Sequence, residues 1–349
     1  MQVHKEVAAV ELSDLNGEAE DVEEIPALIY EPQRDGSWCQ FGYFYDIHKF
    51  NIKGRRHKIK SLEFFAGCGG SLQGYHNYNF DTVMAIEKDE LAIATLKANN
   101  GEIKLYEGCI QEFLKHYDTL KYALGKIDHV HFSSPCKGFS SANRNEVSSE
   151  EDLANNDLSL LIIDAIKKTC CETAVFENVL GMWRLKNIHY MKNIVKELLK
   201  LNYQVRCATL KACDFGDAQK RPRFFMFISK NSIPIPSLPP KTHGDKGDIE
   251  PFVTVKDAFS CLDYNDGAMP NMNYKTTTMR PGQHGLICLN PHDLAPAMQA
   301  SSAPPLHYKE EDRCVSVREA VQLHSFPTYY KFHGSITSQY CQVGNAIPI

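Results

Sequence analysis

Between residues 61 and 229 the chain alternates short apolar runs with amphipathic stretches, and this alternation limits the folds open to it. Strand-like runs occupy 61–66, 82–87, 103–107, 129–133, 173–177, 204–210 and 224–229. Helical spacing fills 71–78, 90–99, 111–124, 158–171 and 189–201 between them. Parallel strands need a crossover long enough to hold a helix. Repeated strand–helix units therefore predict an α/β fold, a doubly wound, mostly parallel Rossmann-like sheet covered on both faces. Ligands of such sheets sit beyond the carboxyl ends of the strands, so chemistry is sought there.

Composition removes several function classes. The 349 residues contain no apolar run long enough to cross a membrane, so no membrane partner is expected. The opening MQVHKEVAAVELSD lacks the charged-then-apolar layout of a secretory signal. Twelve cysteines occur without a C-x-x-C or any zinc spacing, which predicts no metal and a reducing compartment. The net charge of −5 conceals an asymmetry: residues 1–24 carry eight acids against a single lysine, and the rest is weakly basic. That head reads as a solvated tail, and the body admits a nucleic-acid partner. Residues 25–60 form an aromatic-rich lead-in ending in the basic KGRRHKIK, and IPIPSLPPKTHGDKGD from Ile233 reads as a linker. Further on, 315–324 has helical spacing, with Ser316 as N-cap and Glu319 in the capping-box position.

Four motifs stand at the ends of predicted strands. Phe64-Phe65-Ala66-Gly67-Cys68-Gly69-Gly70 leaves the first strand and opens a helix, where glycines let backbone approach a ligand and N–H groups point outward. Twenty residues after Gly67, Glu87 tips the second strand, where nucleotide-binding sheets set an acid against ribose hydroxyls. A dinucleotide and S-adenosylmethionine both suit this pair; Leu72 breaks the G-x-G-x-x-G spacing and favours the methyl donor. Ser133-Ser134-Pro135-Cys136-Lys137-Gly138-Phe139-Ser140 follows the fourth strand. A cysteine attacks as thiolate and needs positive charge nearby, for which Lys137 is a source. Phe176-Glu177-Asn178-Val179 closes the fifth strand, and Glu177 ends an apolar run suited to a proton donor, or simply caps the next helix. Gln219-Lys220-Arg221-Pro222-Arg223 opens the seventh; strand geometry sends 219, 221 and 223 to one side, as donors for an oxyanion or phosphate.

In this order and spacing the motifs resemble those of the C5-cytosine DNA methyltransferase family. FAGCGG is similar to its motif I, Glu87 to its motif II acid, PCKGFS to its Pro-Cys motif IV, and FENV to motif VI. QKRPR resembles the Q-x-R-x-R motif VIII, residues 313–327 resemble motif IX, and QVGNAIP at 342–348 resembles motif X. The resemblance covers residues 61–349. It implies a methyltransferase sheet with a small irregular target-recognition lobe, S-adenosylmethionine as cofactor, and double-stranded DNA whose target cytosine is flipped out. It implies Cys136 as the nucleophile at cytosine C6, Glu177 as the group that holds and protonates N3, and Arg223, with Arg221 nearby, against the base O2 and the active-site loop. The implied cofactor residues are Phe65, Ala66, Gly67, Cys68, Gly69, Gly70, Glu87, Lys88, Cys109, Ile110, Pro135, Leu161, Asn345 and Ala346. The implied DNA contacts are Lys137, Ser140, Arg144, Gln219, Lys275, Thr277 and Arg280.

The expected layout is an acidic head (1–24), a lead-in (25–60), a cofactor-binding catalytic domain (61–232), a recognition lobe with its flanks (233–310), and a return to the catalytic domain (311–349). Residues 137–156 read as a mobile loop that closes over the flipped base. The sequence departs from the family pattern at Cys109, where Asp is usual, at Lys137 for Gln, and at Ser133-Ser134 for Gly-Pro. It also stops just inside motif X, as a fragment would. Only residues 265–288 remain for reading DNA, too few for the ~600 Å² of a specific module. Site selection is therefore expected to be weak, short and CG-like, or supplied by further domains or a partner protein. PCKGFSSANR resembles a eukaryotic lineage with a helicase-like ATPase behind its methyltransferase domain, which implies a nucleus; a prokaryotic chain would be cytoplasmic. The competing functions are cytosine-C5 methylation of tRNA on the same fold, an inactive regulatory methyltransferase-like protein, and a nicotinamide oxidoreductase.

Overall fold

The seven expected strands all form, with ends shifted by two residues or fewer, and so do the helices between them. The computed structural model describes residues 28–32, 38–40, 58–76, 80–139, 150–245, 247, 249–260, 262, 287–300, 306–308 and 313–349. Its strands are β1 (Leu28–Pro32), β2 (Trp38–Gln40), β3 (Ile59–Phe64), β4 (Phe80–Glu87), β5 (Leu105–Glu107), β6 (His129–Ser133) and β7 (Thr173–Asn178). They continue with β8 (Tyr203–Lys211), β9 (Gln219–Lys220), β10 (Pro222–Lys230), β11 (Ile287–Leu289), β12 (Ala295–Pro296), β13 (Leu306–Tyr308) and β14 (Arg313–Cys314). The helices are α1 (Gly70–His76), α2 (Glu90–Asn99), α3 (Ile110–Leu124), α4 (Glu150–Asp157), α5 (Leu161–Thr169), α6 (Ile188–Lys200), α7 (Val255–Ser260), α8 (Val317–Gln322) and α9 (Ile336–Asn345). The architecture is α/β, a mixed and mostly parallel sheet with flanking helices. The acidic head lies outside the described residues.

The chain divides into two compact units, each gathered from separate stretches. The first holds residues up to Phe65, Ile110–Leu210 and Arg223–Pro239. Its strands follow the order β2-β1-β8-β10-β7-β6-β3. β3, β6 and β7 are parallel, while β10 runs antiparallel to β7. Phe64, Phe132 and Phe176 stand in register across the three parallel strands, with ring centroids 5.5 and 6.0 Å apart. Phe113 from α3 meets Phe64 edge-on at 5.6 Å, so this face of the sheet is sealed by aromatic packing. Side chains alternate along a strand, which sends His131, Ser133 and Glu177 to the other face. α6 turns Ile188, Met191, Ile194, Val195 and Leu198 inward at helical spacing. The lead-in is more than a lead-in: β1 pairs antiparallel with β8 and with β2.

The second unit holds Ala66–Cys109, Lys211–Pro222 and Pro240–Ile349. β4 and β5 pair in parallel, and Asp89 caps α2 by accepting the Ala92 N–H at 2.8 Å. Its core joins Cys68 to Val255, Phe259, Leu289, Met298, Val321, Phe326, Tyr330 and Val343. α8 carries the expected capping box: Ser316 accepts from the Glu319 N–H, and Glu319 accepts from the Ser316 N–H at 2.7 Å. The Pro-rich stretch carries the chain from the first unit to the second, and it is fastened rather than loose. Arg206 donates to the Pro236 carbonyl at 2.5 Å in the first unit, and Lys241 pairs with Asp214 at 3.0 Å in the second.

Candidate active site

Because β6 and β7 run parallel in register, Ser133 lies opposite Glu177. The Ser133 hydroxyl donates to Glu177 Oε2 at 2.5 Å, and Arg223 Nε reaches Oε1 at 3.3 Å. The residue is 5% exposed, so a buried carboxyl is held at each oxygen by a different strand. One residue further, Asn178 Nδ2 donates to Ser134 Oγ at 3.0 Å, which fastens the start of the Pro-Cys loop. Cys136 is half-buried in that loop, and the Phe139 N–H donates to its carbonyl at 3.1 Å to close a short turn. Two glycines let this turn be clasped. A Cβ on Gly138 would lie 2.7 Å from the Asp152 carbonyl of α4, and one on Gly181 would lie 1.6 Å from the Phe139 carbonyl. The nucleophile candidate therefore rests on backbone-to-backbone contact from two sides. Lys137 beside it is exposed. Pro135 and Leu161 are half-buried, and Ile110 is buried at the start of α3. Of the loop read as mobile, residues 140–149, with Ser140 and Arg144, lie outside the described residues; α4 forms its far end.

The Gly-rich turn leaves β3 and enters the second unit at Ala66 on its way to α1, with positive φ angles at Phe65 (58°), Gly67 (54°) and Gly69 (93°). Glu87 holds this turn: its Oε2 accepts the Gly67 N–H at 2.8 Å, and its Oε1 accepts the Lys88 and Asp89 N–H groups at 2.8 and 2.9 Å. A carboxylate has about four acceptor directions, so Oε2 retains capacity for one more donor. The glycines divide by task. A Cβ on Gly67 would meet nothing within 4 Å, whereas one on Gly69 would strike the Tyr330 hydroxyl at 2.7 Å and one on Gly70 the Ile347 carbonyl at 2.5 Å. Among the described residues, nothing closes on Gly67, whereas Gly69 and Gly70 admit neighbouring protein. Cys68 is buried, and burial pushes its thiol up to about 12, which makes it inert. Ala66 is buried, Cys109 half-buried, and Lys88 and Asn345 exposed.

Two of the expected site residues are corrected. Arg221 is 2% exposed and its guanidinium donates to the carbonyls of Met298 (2.8 Å), Gly344 (2.8 Å) and Ala346 (2.7 Å). It clamps the chain around the GNA sequence and does not present itself to a base. Gln219 is fully buried, donating to the Leu323 carbonyl and accepting the Met298 N–H, so it is no DNA contact. The row of three same-side donors fails because β9 ends at Lys220 and β10 begins at Pro222, which separates Arg223 from the other two. Lys275, Thr277 and Arg280 lie outside the described residues. Sequence reasoning noted Ser133 only as a departure from Gly; its hydroxyl turns out to bind Glu177.

A family model for C-5 cytosine-specific DNA methylases matches residues 59–285 and 253–349. The chain belongs to that family. Among the relatives of this C-5 cytosine methylase, type II methyltransferase M.AplI of Arthrospira platensis is 30% identical over 305 residues, spanning 82% of this chain and 81% of its own. M.DdeI of Desulfomicrobium norvegicum is 25% identical over 362 residues, 82% and 85% of the two chains. Both are bacterial and lend nothing to a nuclear location. Among solved structures, methyltransferase EhMeth of Entamoeba histolytica superposes with a TM-score of 0.59 at 16% identity, over 84% of this chain and 95% of its own. A DNMT2 variant from Spodoptera frugiperda gives 0.58 at 16% identity, over 83% and 96%. At such identities the likeness speaks for the fold of the methylase alone. Among the described residues no helix is long and apolar enough to cross a membrane.

Proposed function

We propose that this methylase transfers a methyl group from S-adenosylmethionine to C5 of a flipped cytosine in double-stranded DNA, through a covalent adduct of Cys136, at short CG-like sites. The observation that carries this reading is the buried Glu177 carboxyl, held by Ser133 and Arg223 and tied through Asn178 to the Pro-Cys loop. Cytosine C5 is too weak a nucleophile to take a sulfonium methyl unaided. The Cys136 thiolate adds to C6, the displaced C5–C6 π pair makes C5 an enamine carbon, and N3 takes a proton from Glu177 so that negative charge does not accumulate. Arg223 keeps the carboxyl in place, and on this reading its guanidinium also meets the base O2. S-adenosylmethionine, when bound, supplies the electrophilic methyl, which C5 takes while sulfur leaves as a neutral thioether. A base then removes the C5 proton, that bonding pair rebuilds the C5–C6 double bond, thiolate leaves C6, and the N3 proton returns to Glu177.

The described residues fit the cofactor. Among them nothing closes on Gly67, and Oε2 of Glu87 can accept one further donor, as a ribose hydroxyl would supply. Lys88, Cys109 and Asn345 of the same unit are the further residues proposed to contact it. Residues 265–288 are the stretch proposed to meet phosphates and a few base edges.

Trapping tests the proposal. A fluorine at C5 cannot leave as a proton does, so a 5-fluorocytosine duplex with S-adenosylmethionine should yield an adduct that survives denaturation. Cys136→Ala should yield none, and Glu177→Gln should slow its formation by roughly 100-fold. No adduct with the unaltered protein would overturn the reading. A fluorocytosine tRNA trapped faster than the duplex would move the substrate to RNA.

A further inference from the structure

We infer that Ser133 is a positioning residue for Glu177, a hydroxyl acting where the family pattern usually has glycine and so supplies no side-chain donor. The inference rests on the reading of Glu177 as the group that protonates N3. Ser133 Oγ and Glu177 Oε2 are 2.5 Å apart, on strands whose register sets the two residues opposite each other. Nothing long or flexible intervenes. A hydroxyl donates to a carboxylate and accepts from a carboxylic acid, so Ser133 can keep Oε2 in one place before and after the proton moves. Arg223 alone would fix Oε1 and leave the carboxyl free to swing about that contact, and a misplacement of about 1 Å costs on the order of a hundredfold in rate.

The surroundings favour this role over a purely structural one. Ser134 and Asn178 form the neighbouring rung, which already joins the two strand ends and seats the loop. The Ser133 hydroxyl is therefore not required to hold β6 and β7 together; its partner is the reacting carboxyl. Among the described residues, the charged and titratable groups seen to act on Glu177 are Arg223 from β10 and His131, two residues before Ser133 on the same face of β6. His131 is in turn paired with the buried Glu63 of β3 at 2.6 Å. Glu63, His131, Ser133 and Glu177 thus share one face of the sheet, and Ser133 is the hydroxyl bonded to the Glu177 carboxyl.

The experiment compares Ser133→Ala and Ser133→Thr with the unaltered chain. Rates of adduct formation on the 5-fluorocytosine duplex are read beside two controls, the duplex dissociation constant and the melting temperature. Exchange of the cytosine C5 hydrogen without S-adenosylmethionine gives a second readout in which no methyl donor takes part. Ser133→Ala should lose about ten- to a hundredfold in both rates, with duplex affinity and melting temperature unchanged, and Ser133→Thr should recover most of the loss. Ala at the wild-type rate, Thr as slow as Ala, or a loss mirrored in duplex affinity or melting would each overturn the inference. If the unaltered chain forms no adduct and exchanges no hydrogen, the reading beneath it fails and the inference fails with it; an adduct that Ser133→Ala forms at full rate removes the inference alone.

Discussion

Arg221 and Arg223 stand two positions apart in a sequence that offers them as neighbours on one row, and the fold gives them unrelated work. Arg223 keeps its guanidinium beside Glu177, whereas Arg221 is sunk among three backbone carbonyls. Removing a buried charged donor strands all three acceptors, which costs about 2–4 kcal/mol. Arg221→Met should therefore lower the unfolding midpoint by about 5 °C or more, seen by calorimetry. Cys136→Ala, at a half-buried thiol, should leave that midpoint within a degree or two of the original. The sequence could show that both arginines are near the site. It could not show which one the fold spends on itself, because the carbonyls that bind Arg221 come from residues 77 to 125 positions away.

At the scale of elements, Gly181 is the joint between the turn after β7 and the loop that carries Cys136. Gly181→Ala puts a carbon within 1.6 Å of the Phe139 carbonyl, so backbone must move. The expected result is a protein that folds with about 1–3 kcal/mol less stability and forms the trapped adduct about a hundredfold more slowly. Denaturant titration and adduct kinetics on the same preparation check both halves. The elements themselves were legible where they are long and periodic: β3, β4, β6 to β8, β10, α2, α3 and α6 carry their own pattern, and the Ser316–Glu319 capping box announced α8. β9, β12 and β14 are two residues each, and β11 and β13 three, lengths at which alternation has no statistical meaning. β1 and β2 were hidden in a stretch whose aromatics resembled a lead-in, and only their partner β8 defines them. Among the proposed site residues, Cys136, Glu177 and Glu87 follow from strand-end motifs, whereas Ser133 meets Glu177 through a cross-strand register that no single segment reveals.

For the whole molecule, a buried acid contributes to how stability depends on pH. Asp217 is 4% exposed, and burial pushes its pKa up to about 7, against the opposing pull of the Ser325 hydroxyl at 2.7 Å and of Arg221. Between its ordinary value of 3.8 and about 7 the folded chain keeps a proton that the unfolded chain has lost. The contribution of Asp217 to stability therefore falls as pH rises through that window and is level above it. Asp217→Asn removes the effect: at pH 8 the variant should be the more stable by roughly 2–4 kcal/mol, and near pH 4 the two should converge, as thermal unfolding across that range would show. The same unit joins distant parts of the chain, since Tyr330 donates to the Cys68 carbonyl across 262 positions and Gly70 lies against Ile347. A ribosome adds about 5–20 residues per second, so the turn that borders Gly67 waits on the order of tens of seconds for the residues that brace it. Until they emerge, the nascent chain has a glycine-rich loop with no wall behind it. Competence to hold a ligand there is then tied to the emergence of residues 330–347, and a product cut short before residue 330 would carry the proposed catalytic side chains yet lack the brace behind that turn.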